Sequence, residues 1–512
     1  MFLGIDVGTQ GSKAGLYDLE GRCLGSGYAE HLFDHLRPGW VEMDLAQIEK
    51  AVCDATAACM AASGVAAGSV RAVALSGILC GPVFVDEHWR PVRPLIPFLD
   101  VRAQDELAWL RNDVEPRWVN ESANASLDTY VMATTWEWVR RHEPEAHARI
   151  AKILSLAPYV AGRLTGLRAS QAFSDPSHLS GWIIGWNAAT GRVSEQQLAD
   201  LGIPVEQAPD LVEPWRVVGA LSVDAAARMG LAAGTPVAAG AGDVMQSNLS
   251  AGLVRPGTAT DVAGTASILT VGVAGPVPAI TAVPGMLYSV GTLPGQALYW
   301  GYVKAGGLSL RWFRDQVLAR PPVDEVYRDL DAAAAGVAPG SDGVLFTPYL
   351  SGGNPDLPDA AGTWLGMTAA TTTATLWRSM LEAIAFEYAD FLEAFARHGV
   401  AVSRVLAVGG GARSGLWNQI KADAVGASWS VPDRQDGAVL ANAALAALSV
   451  GAVDDLAATV TDWVGQGREF NPEPQAVRAY ADVLEVRRSL LAGPLRDTFG
   501  ALAPLRTTGA RP

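Results

Sequence analysis

Scarce cysteine and a deficit of positive charge set the first limits on this 512-residue chain. Its four cysteines, Cys23, Cys53, Cys59 and Cys80, show no CxxC spacing. Neither a disulfide framework nor a thiolate metal site is expected, and the chain reads as reduced and cytoplasmic. Lys and Arg number 38 against 53 Asp and Glu, and the net charge of −15 argues against nucleic acid or an anionic membrane as the main partner. A nucleotide stays open, because backbone amides can hold phosphate without a basic surface. No apolar run is long enough to span a bilayer. The N-terminus opens on a strand rather than a basic leader, so no signal peptide is expected. The GxxxxGK(S/T) phosphate loop is absent, and no GxGxxG follows the first strand. His31 and His35 flank Asp34 at a spacing metals use, but a third ligand is not identifiable.

What is present begins at residues 2–17, FLGIDVGTQGSKAGLY. An apolar run ends in Asp6, Gly8-Thr9-Gln10-Gly11-Ser12 follows, and Lys13 leads a second apolar run. The pattern predicts strand, tight turn, strand. Gly8 and Gly11 let the backbone come close to a ligand. The turn amides, with Thr9, Gln10, Ser12 and Lys13, would form an anion-binding concavity, with Asp6 placed to orient Mg²⁺ beside it. The plainer reading is a hairpin whose Asp6 caps its own turn. Residues 258–273, TATDVAGTASILTVGV, repeat the plan around Gly264-Thr265. Two such hairpins, one in each half, suggest a duplicated architecture clamping one nucleotide.

Between the hairpins the sequence predicts a third strand at 22–29, a helix at 45–63, and strands at 70–75 and 83–85. Helices follow at 103–110, 131–141 and 153–163, the last stopped by Gly166. Residues 171–191 read as polar loop and 193–201 as a short helix. A strand at 236–239 runs into Gly240-Ala241-Gly242-Asp243 and a helix at 244–253. The division into domains 1–250 and 251–490 is placed here, with a tail at 491–512 whose end, 507–512, is expected to be disordered. In the second half Gly306-Gly307 enters a helix at 308–319, and strands at 298–303 and 344–350 flank it. A long core helix spans 376–397. A strand at 404–408 enters Gly409-Gly410-Gly411-Ala412, and helices follow at 416–425 and 438–450.

In order and spacing, DVGTQGSK (6–13), GWVEMD (39–44), AAGAGD (238–243), Gly264-Thr265, AGG (305–307), LFTPYLSG (345–352), LEAIAFE (381–387) and VGGGARSGLWNQIKAD (408–423) resemble the FGGY carbohydrate kinases, most closely their xylulokinase-like branch. The resemblance covers residues 2–490. It implies an α/β fold of two actin-like (ribonuclease H-like) domains, each a mixed sheet flanked by helices, with the active site in the cleft between them. It further implies ATP-dependent phosphorylation of a sugar or polyol, a ketopentose such as D-xylulose by default, with Mg²⁺ as cofactor. The family's catalytic Asp corresponds to Asp243, which on local sequence could equally cap the helix after it. Thr9, Ser12, Lys13, Gly264 and Thr265 would hold phosphates, with Asp6 and Asp243 flanking the metal. Gly306, Gly307, Gly410, Gly411, Ala412 and Asn418 would wall the adenosine.

The sugar end departs from the family pattern. Gln-Met-His-Gly is replaced by Ile78-Leu79-Cys80-Gly81, and Trp-Asn-Asp by Phe98-Leu99-Asp100. A pocket containing Leu79, Cys80 and Phe98 is more apolar than one built for a free pentulose, and lost hydrogen-bonding partners change discrimination strongly. Asp100 is expected as a substrate ligand, the alternative being a structural ion pair with Arg102. Another ketose, a polyol or a modified sugar therefore competes with D-xylulose as acceptor. A nucleotide-binding sugar sensor without kinase activity is the reading from a different class, against which Asp243 weighs. The oligomeric state stays open, a homodimer included.

Overall fold

The computed structural model describes residues 1–114, 117–124, 127–281, 285–354 and 356–507. The disorder expected at 507–512 falls outside them, except for Thr507, which ends a helix (Pro494–Thr507).

Strands β1 (Phe2–Val7) and β2 (Gly11–Tyr17) pair antiparallel, and β3 (Cys23–Glu30) adds to β2. Helix α1 (Leu45–Ser63) starts where the Asp44 carboxylate accepts the Ala46 amide and stops at Gly64 in the left-handed region. The chain returns as β4 (Ala72–Gly77), parallel to β1. Helices α2 (Leu156–Thr165) and α3 (Pro176–Ser180) follow, then β5 (Val217–Ala220), β6 (Pro236–Ala238), β7 (Ala241–Gly242) and α4 (Asp243–Ser250). The first sheet runs β5-β6-β4-β1-β2-β3, with β7 also beside β4.

The second half contains β8 (Thr258–Ala263), β9 (Ser267–Val273), β10 (Leu287–Val290), β11 (Ala297–Val303), α5 (Gly306–Trp312) and α6 (Thr373–Arg397). After these come β12 (Arg404–Val408), α7 (Gly415–Val425), β13 (Ser428–Val431), α8 (Ala438–Ser449) and β14 (Arg468–Phe470). Its sheet runs β10-β11-β9-β8-β12-β13-β14. In each half an antiparallel meander, β3-β2-β1 or β11-β9-β8, abuts two parallel strands, β4-β6 or β12-β13. This is the actin-like fold in duplicate. In sheets with parallel strands, ligands gather at the carboxyl ends of those strands.

Helix α8 lies in the second half of the sequence but packs against the first sheet. It is built mostly of Ala, Leu and Val, and its apolar residues cluster with Phe2, Tyr17, Ala72, Ala74 and Leu249. Gly4 makes this close approach possible: a Cβ there would sit 1.9 Å from the Val439 carbonyl oxygen. The division expected near residue 250 is therefore bridged by a helix from the far half.

Three local expectations need correction. Residues 153–163 are not one helix, since Lys152–Leu154 is a strand paired with Val83–Val85 before α2 begins. An apolar run of mixed periodicity hid that break. Residues 171–191 are neither all loop nor polar: they contain α3 and the buried Leu179, Trp182, Ile183 and Ile184. Within the tail placed at 491–512, Pro494–Thr507 is a helix that buries Leu495 and Phe499 against Tyr349 and Leu357, so this stretch belongs to the fold. Among the described residues no helix is long and apolar enough to cross a membrane.

Replacing Gly4 by valine drives a side chain into backbone that cannot yield. Such overpacking costs about 1–3 kcal/mol or more. Gly4→Val is expected to lower Tm clearly, whereas a change at the exposed Gly500, where a Cβ meets nothing, leaves it in place. Thermal unfolding followed by circular dichroism checks both.

Candidate active site

The ends of three parallel strands build the first half of the site. Asp6 of β1 lies beside Ser76 of β4, and Gly242 of β7 lies beside Gly77, so Asp6 and Asp243 flank the end of β4. The Ser76 hydroxyl donates to Asp6 Oδ1 at 2.7 Å. Gly242 is the cap of α4 and Asp243 its first residue, with Oδ1 accepting the Val244 amide at 2.8 Å. Burial pushes the Asp243 carboxyl up to about 7, and the nearby Asp6 carboxylate adds to the rise. Burial raises Asp6 as well, against the pull of the Ser76 hydrogen bond and Lys13. A carboxyl that titrates near neutrality is suited to accept a proton.

The hairpin residues divide between the two faces of β2. Lys13 pairs with Asp6 across the strands, and its ammonium donates to the Asp436 carbonyl at 2.7 Å. Ser12 points to the opposite, core-facing side with Val7 and Ala14, fully buried, and its hydroxyl has no hydrogen-bond partner. Strand alternation thus parts two residues expected to act together. In the turn, Gly8 donates to Gly11, while Gln10 offers its carbonyl to the His31 amide and the Tyr28 hydroxyl. Thr9 is half-buried there.

In the second half a cavity of about 580 Å³ opens between β8, α5 and the loop after β12. Gly264, Thr265, Gly307, Gly410 and Gly411 line it, with Trp417 beneath. Gly307 donates to the Gly264 carbonyl at 3.0 Å, and a Cβ on Gly307 would meet that oxygen at 2.3 Å. Gly306 is a packing glycine held against Ser267. Ala412 is buried, and Asn418, fully buried, donates to the Ala412 carbonyl at 2.7 Å. These two brace the loop rather than line the cavity.

The two parts of the site meet through the loop at 432–437. Gln435 Oε1 accepts the Gly409 amide at 3.1 Å, and the adjacent Asp436 carbonyl accepts Lys13. The glycine loop of the cavity is thus two hydrogen bonds and one peptide step from the first hairpin.

Of the residues expected to contact substrate, Cys80 lies within the electrostatic reach of Asp243 and Asp128. Burial first, then those carboxylates, push its thiol up to about 12, so it stays neutral. Leu79 is core, packed with Met245, Leu253 and Leu298 beneath the Asp243 turn. Phe98 is 39% exposed. Asp100 is 1% exposed, and both its oxygens are engaged: by the Val41 amide at 2.6 Å, the Arg102 amide at 2.8 Å and the Arg102 guanidinium. The structural ion pair is the reading its geometry supports.

Sequence reasoning missed several residues. Tyr130, its phenol raised by burial and by Cys80, Asp128 and Tyr302, marks a polar group beside Cys80. Asp324, Tyr327, Arg328 and Asp331 line the cavity from a helix, Asp324–Ala334, that was not foreseen. Its signal was present: Val326, Leu330 and Ala334 recur at helical spacing and are buried. Arg311 was also missed, and its guanidinium donates to the Thr265 hydroxyl at 2.9 Å.

Comparison with known proteins agrees in extent with this architecture. Residues 1–250 match the N-terminal domain of the FGGY family of carbohydrate kinases and residues 259–450 its C-terminal domain. The chain is 28% identical to an autoinducer-2 kinase of Klebsiella pneumoniae over 96% of this chain and 94% of that protein. It is 24% identical to a xylulose kinase of Bacillus subtilis over 95% and 96%. The crystal structure of a xylulose kinase from Rhodospirillum rubrum superimposes with a TM-score of 0.89 at 28% identity, covering 98% of this chain and 99% of that one.

The raised Asp243 carboxyl has a consequence for stability. The folded state keeps this proton up to about pH 7, whereas the unfolded chain releases it near 4. Its contribution is therefore fully present below about pH 4 and is lost progressively as pH rises from 4 through 7. Asp243→Asn removes that loss while keeping an acceptor for the Val244 amide. The variant is expected to match wild type near pH 3 and to be more stable by roughly 1–4 kcal/mol at pH 8. Denaturant unfolding at the two pH values measures the difference.

Proposed function

This chain belongs to the FGGY family of carbohydrate kinases, and on that premise we propose that it transfers the γ-phosphoryl group of ATP to a hydroxyl of a small sugar or polyol, with Asp243 as the general base. The observation that carries this reading is the junction at 432–437. It joins the carboxylate end of the first sheet to the glycine-lined cavity of the second. Phosphoryl transfer asks for such an arrangement, since positioning and charge neutralisation supply most of the catalysis. The cavity volume suits an adenosine, with Gly264-Thr265 at its edge.

Two carboxylates, Asp6 and Asp243, suit Mg²⁺, which takes one or two protein oxygens and completes its shell with phosphates and water. When bound, the ion neutralises charge on the transferring group. Lys13, opposite Asp6, adds a cation on the same face. Asp243 holds the acceptor hydroxyl and takes its proton as the bond to phosphorus forms.

A ketopentose such as D-xylulose is the acceptor we infer first, in line with the relatives that are xylulose kinases. The neutral thiol of Cys80 beside Asp243 favours a second reading, a modified or less hydroxylated acceptor. A relative named autoinducer-2 kinase supports including that compound.

Coupled ADP release with MgATP tests the proposal on D- and L-xylulose, D- and L-ribulose, erythritol, glycerol, gluconate and autoinducer-2. One acceptor is expected to turn over, with kcat/KM rising with pH along a limb centred at or below pH 7, since Mg²⁺ favours the ionised carboxyl. Asp243→Asn is expected to lower kcat by about 10²–10⁴-fold and to erase that limb. An Asp243→Asn variant keeping a tenth of wild-type turnover would remove the base from the mechanism. ATP binding without turnover on any acceptor would favour the sensor.

The nucleotide end has its own test. At Gly410 a Cβ meets only the Arg413 guanidinium, at 3.8 Å, so Gly410→Val folds normally while filling the cavity wall. Calorimetric titration is expected to show ADP bound at least tenfold more weakly, with Tm unchanged.

A further inference from the structure

Helix α3 has five residues, and its polar side chains are almost wholly withdrawn from solvent. Asp175, Ser177 and His178 are at most 1% exposed. The Asp175 carboxylate accepts the Ser177 amide at 2.9 Å and the Ser177 hydroxyl at 2.5 Å, and its other oxygen bonds His178 Nδ1. A hydroxyl has a single proton. That of Ser177 is committed to Asp175, so its lone pair is fixed toward the Gly242 amide, which donates to it at 2.8 Å. Gly242 caps α4, and the next residue is Asp243.

The far end of α3 faces the other half of the molecule. The Ser180 hydroxyl donates to the Ser177 carbonyl at 2.8 Å and accepts the Val290 amide at 3.0 Å. Val290 ends β10, the edge strand of the second sheet. A path of hydrogen bonds, joined covalently within Ser177, thus runs from the turn before Asp243 through Ser177 and Ser180 to the opposite half. The path is buried, where such bonds reinforce one another and a broken member leaves an unpaired group.

We propose that α3 is a positioning element for the reaction: through Ser177 and Ser180 it couples the placement of the Asp243 carboxylate to the seating of the second half against the first. The proposal rests on Asp243 being the base. Ser177 and Ser180 touch no reacting atom and act through the Gly242–Asp243 turn. His178 and Asp175 fix the direction in which Ser177 donates.

Hydrogen exchange on the full chain, without ligand and with ADP and Mg²⁺, reads the coupling directly. Ser177→Ala and Ser180→Ala are each expected to speed exchange in two separate segments, 238–246 and 286–292. Ser180 touches neither Asp175 nor Gly242, so it serves if Ser177→Ala fails to fold. With the acceptor that turns over, either alanine variant is expected to lower kcat about tenfold or more. KM values should stay within about threefold, and Ser180→Thr should restore kcat. Exchange changes confined to the substituted residue's own segment overturn the proposal. So does a kcat within twofold of wild type. High activity in Asp243→Asn strikes the base assignment instead and leaves the exchange result readable.

Discussion

Asn442 reaches from α8 into the first sheet, and the site depends on what it holds. Its amide donates to the Ile5 carbonyl and to the Ser76 hydroxyl, both at 2.8 Å, and Ser76 passes its own proton to Asp6. Asn442 and Ser76 are fully buried, so each donor has its acceptor within the protein and little freedom to exchange it. A residue from the second half thereby fixes the carboxylate at the mouth of the first. The tight seat of α8 on Gly4 and the apolar cluster around Leu440 and Leu445 keep that reach constant. Ser250 adds a tie, its hydroxyl accepting the Ala441 amide at 3.0 Å and locking α4 to α8. Both carboxylates therefore stand on elements braced by one helix.

The two hairpins show how a repeated plan diverges. In β8, the counterpart of β1, Asp261 is fully buried and closed off by Lys421 at 2.5 Å and the Tyr388 hydroxyl at 2.6 Å. Trp417 stacks under that ammonium at 3.8 Å. A charge in such a place must be matched, or it is expelled as a neutral acid. Asp6 receives a serine hydroxyl instead and feels an exposed lysine whose ammonium is held by the Asp436 carbonyl. One half used its strand-end carboxylate to build structure, while the other left it short of partners.

Much of this was legible in the sequence, and the boundary is physical. Turns and loops that need glycine announce themselves, so the hairpins at Gly8 and Gly264, the loop at Gly410-Gly411 and Gly307 were placed from sequence. Asp243 closes a run of small residues, but the family resemblance rather than local sequence singled it out. The residues that went astray are those whose partners come from far along the chain. Asp100 is closed off by Val41, and Leu79 by Leu298 of the other half. Local sequence shows none of those contacts. Ser12 was lost to a simpler rule, since strand alternation places it and Lys13 on opposite faces. The helix at Asp324–Ala334 was readable and passed over, and with it the acidic and aromatic wall of the cavity.

The acceptor end combines features that burial makes unfavourable separately. A carboxyl near neutrality, a second acid beside it and a thiol pushed up to about 12 all resist ionisation in the same small volume. Two negative charges there repel, and both burial and repulsion favour the protonated acid. A divalent cation reverses that balance, because it rewards the ionised form of each carboxyl. Asp6 and Asp243 would hold such an ion, and with it Asp243 would be ionised and able to accept a proton. Cys80 would not share in this, because burial holds its thiol neutral. Cys80 lies beside Asp243, and this end of the site is the part that the shared fold determines least.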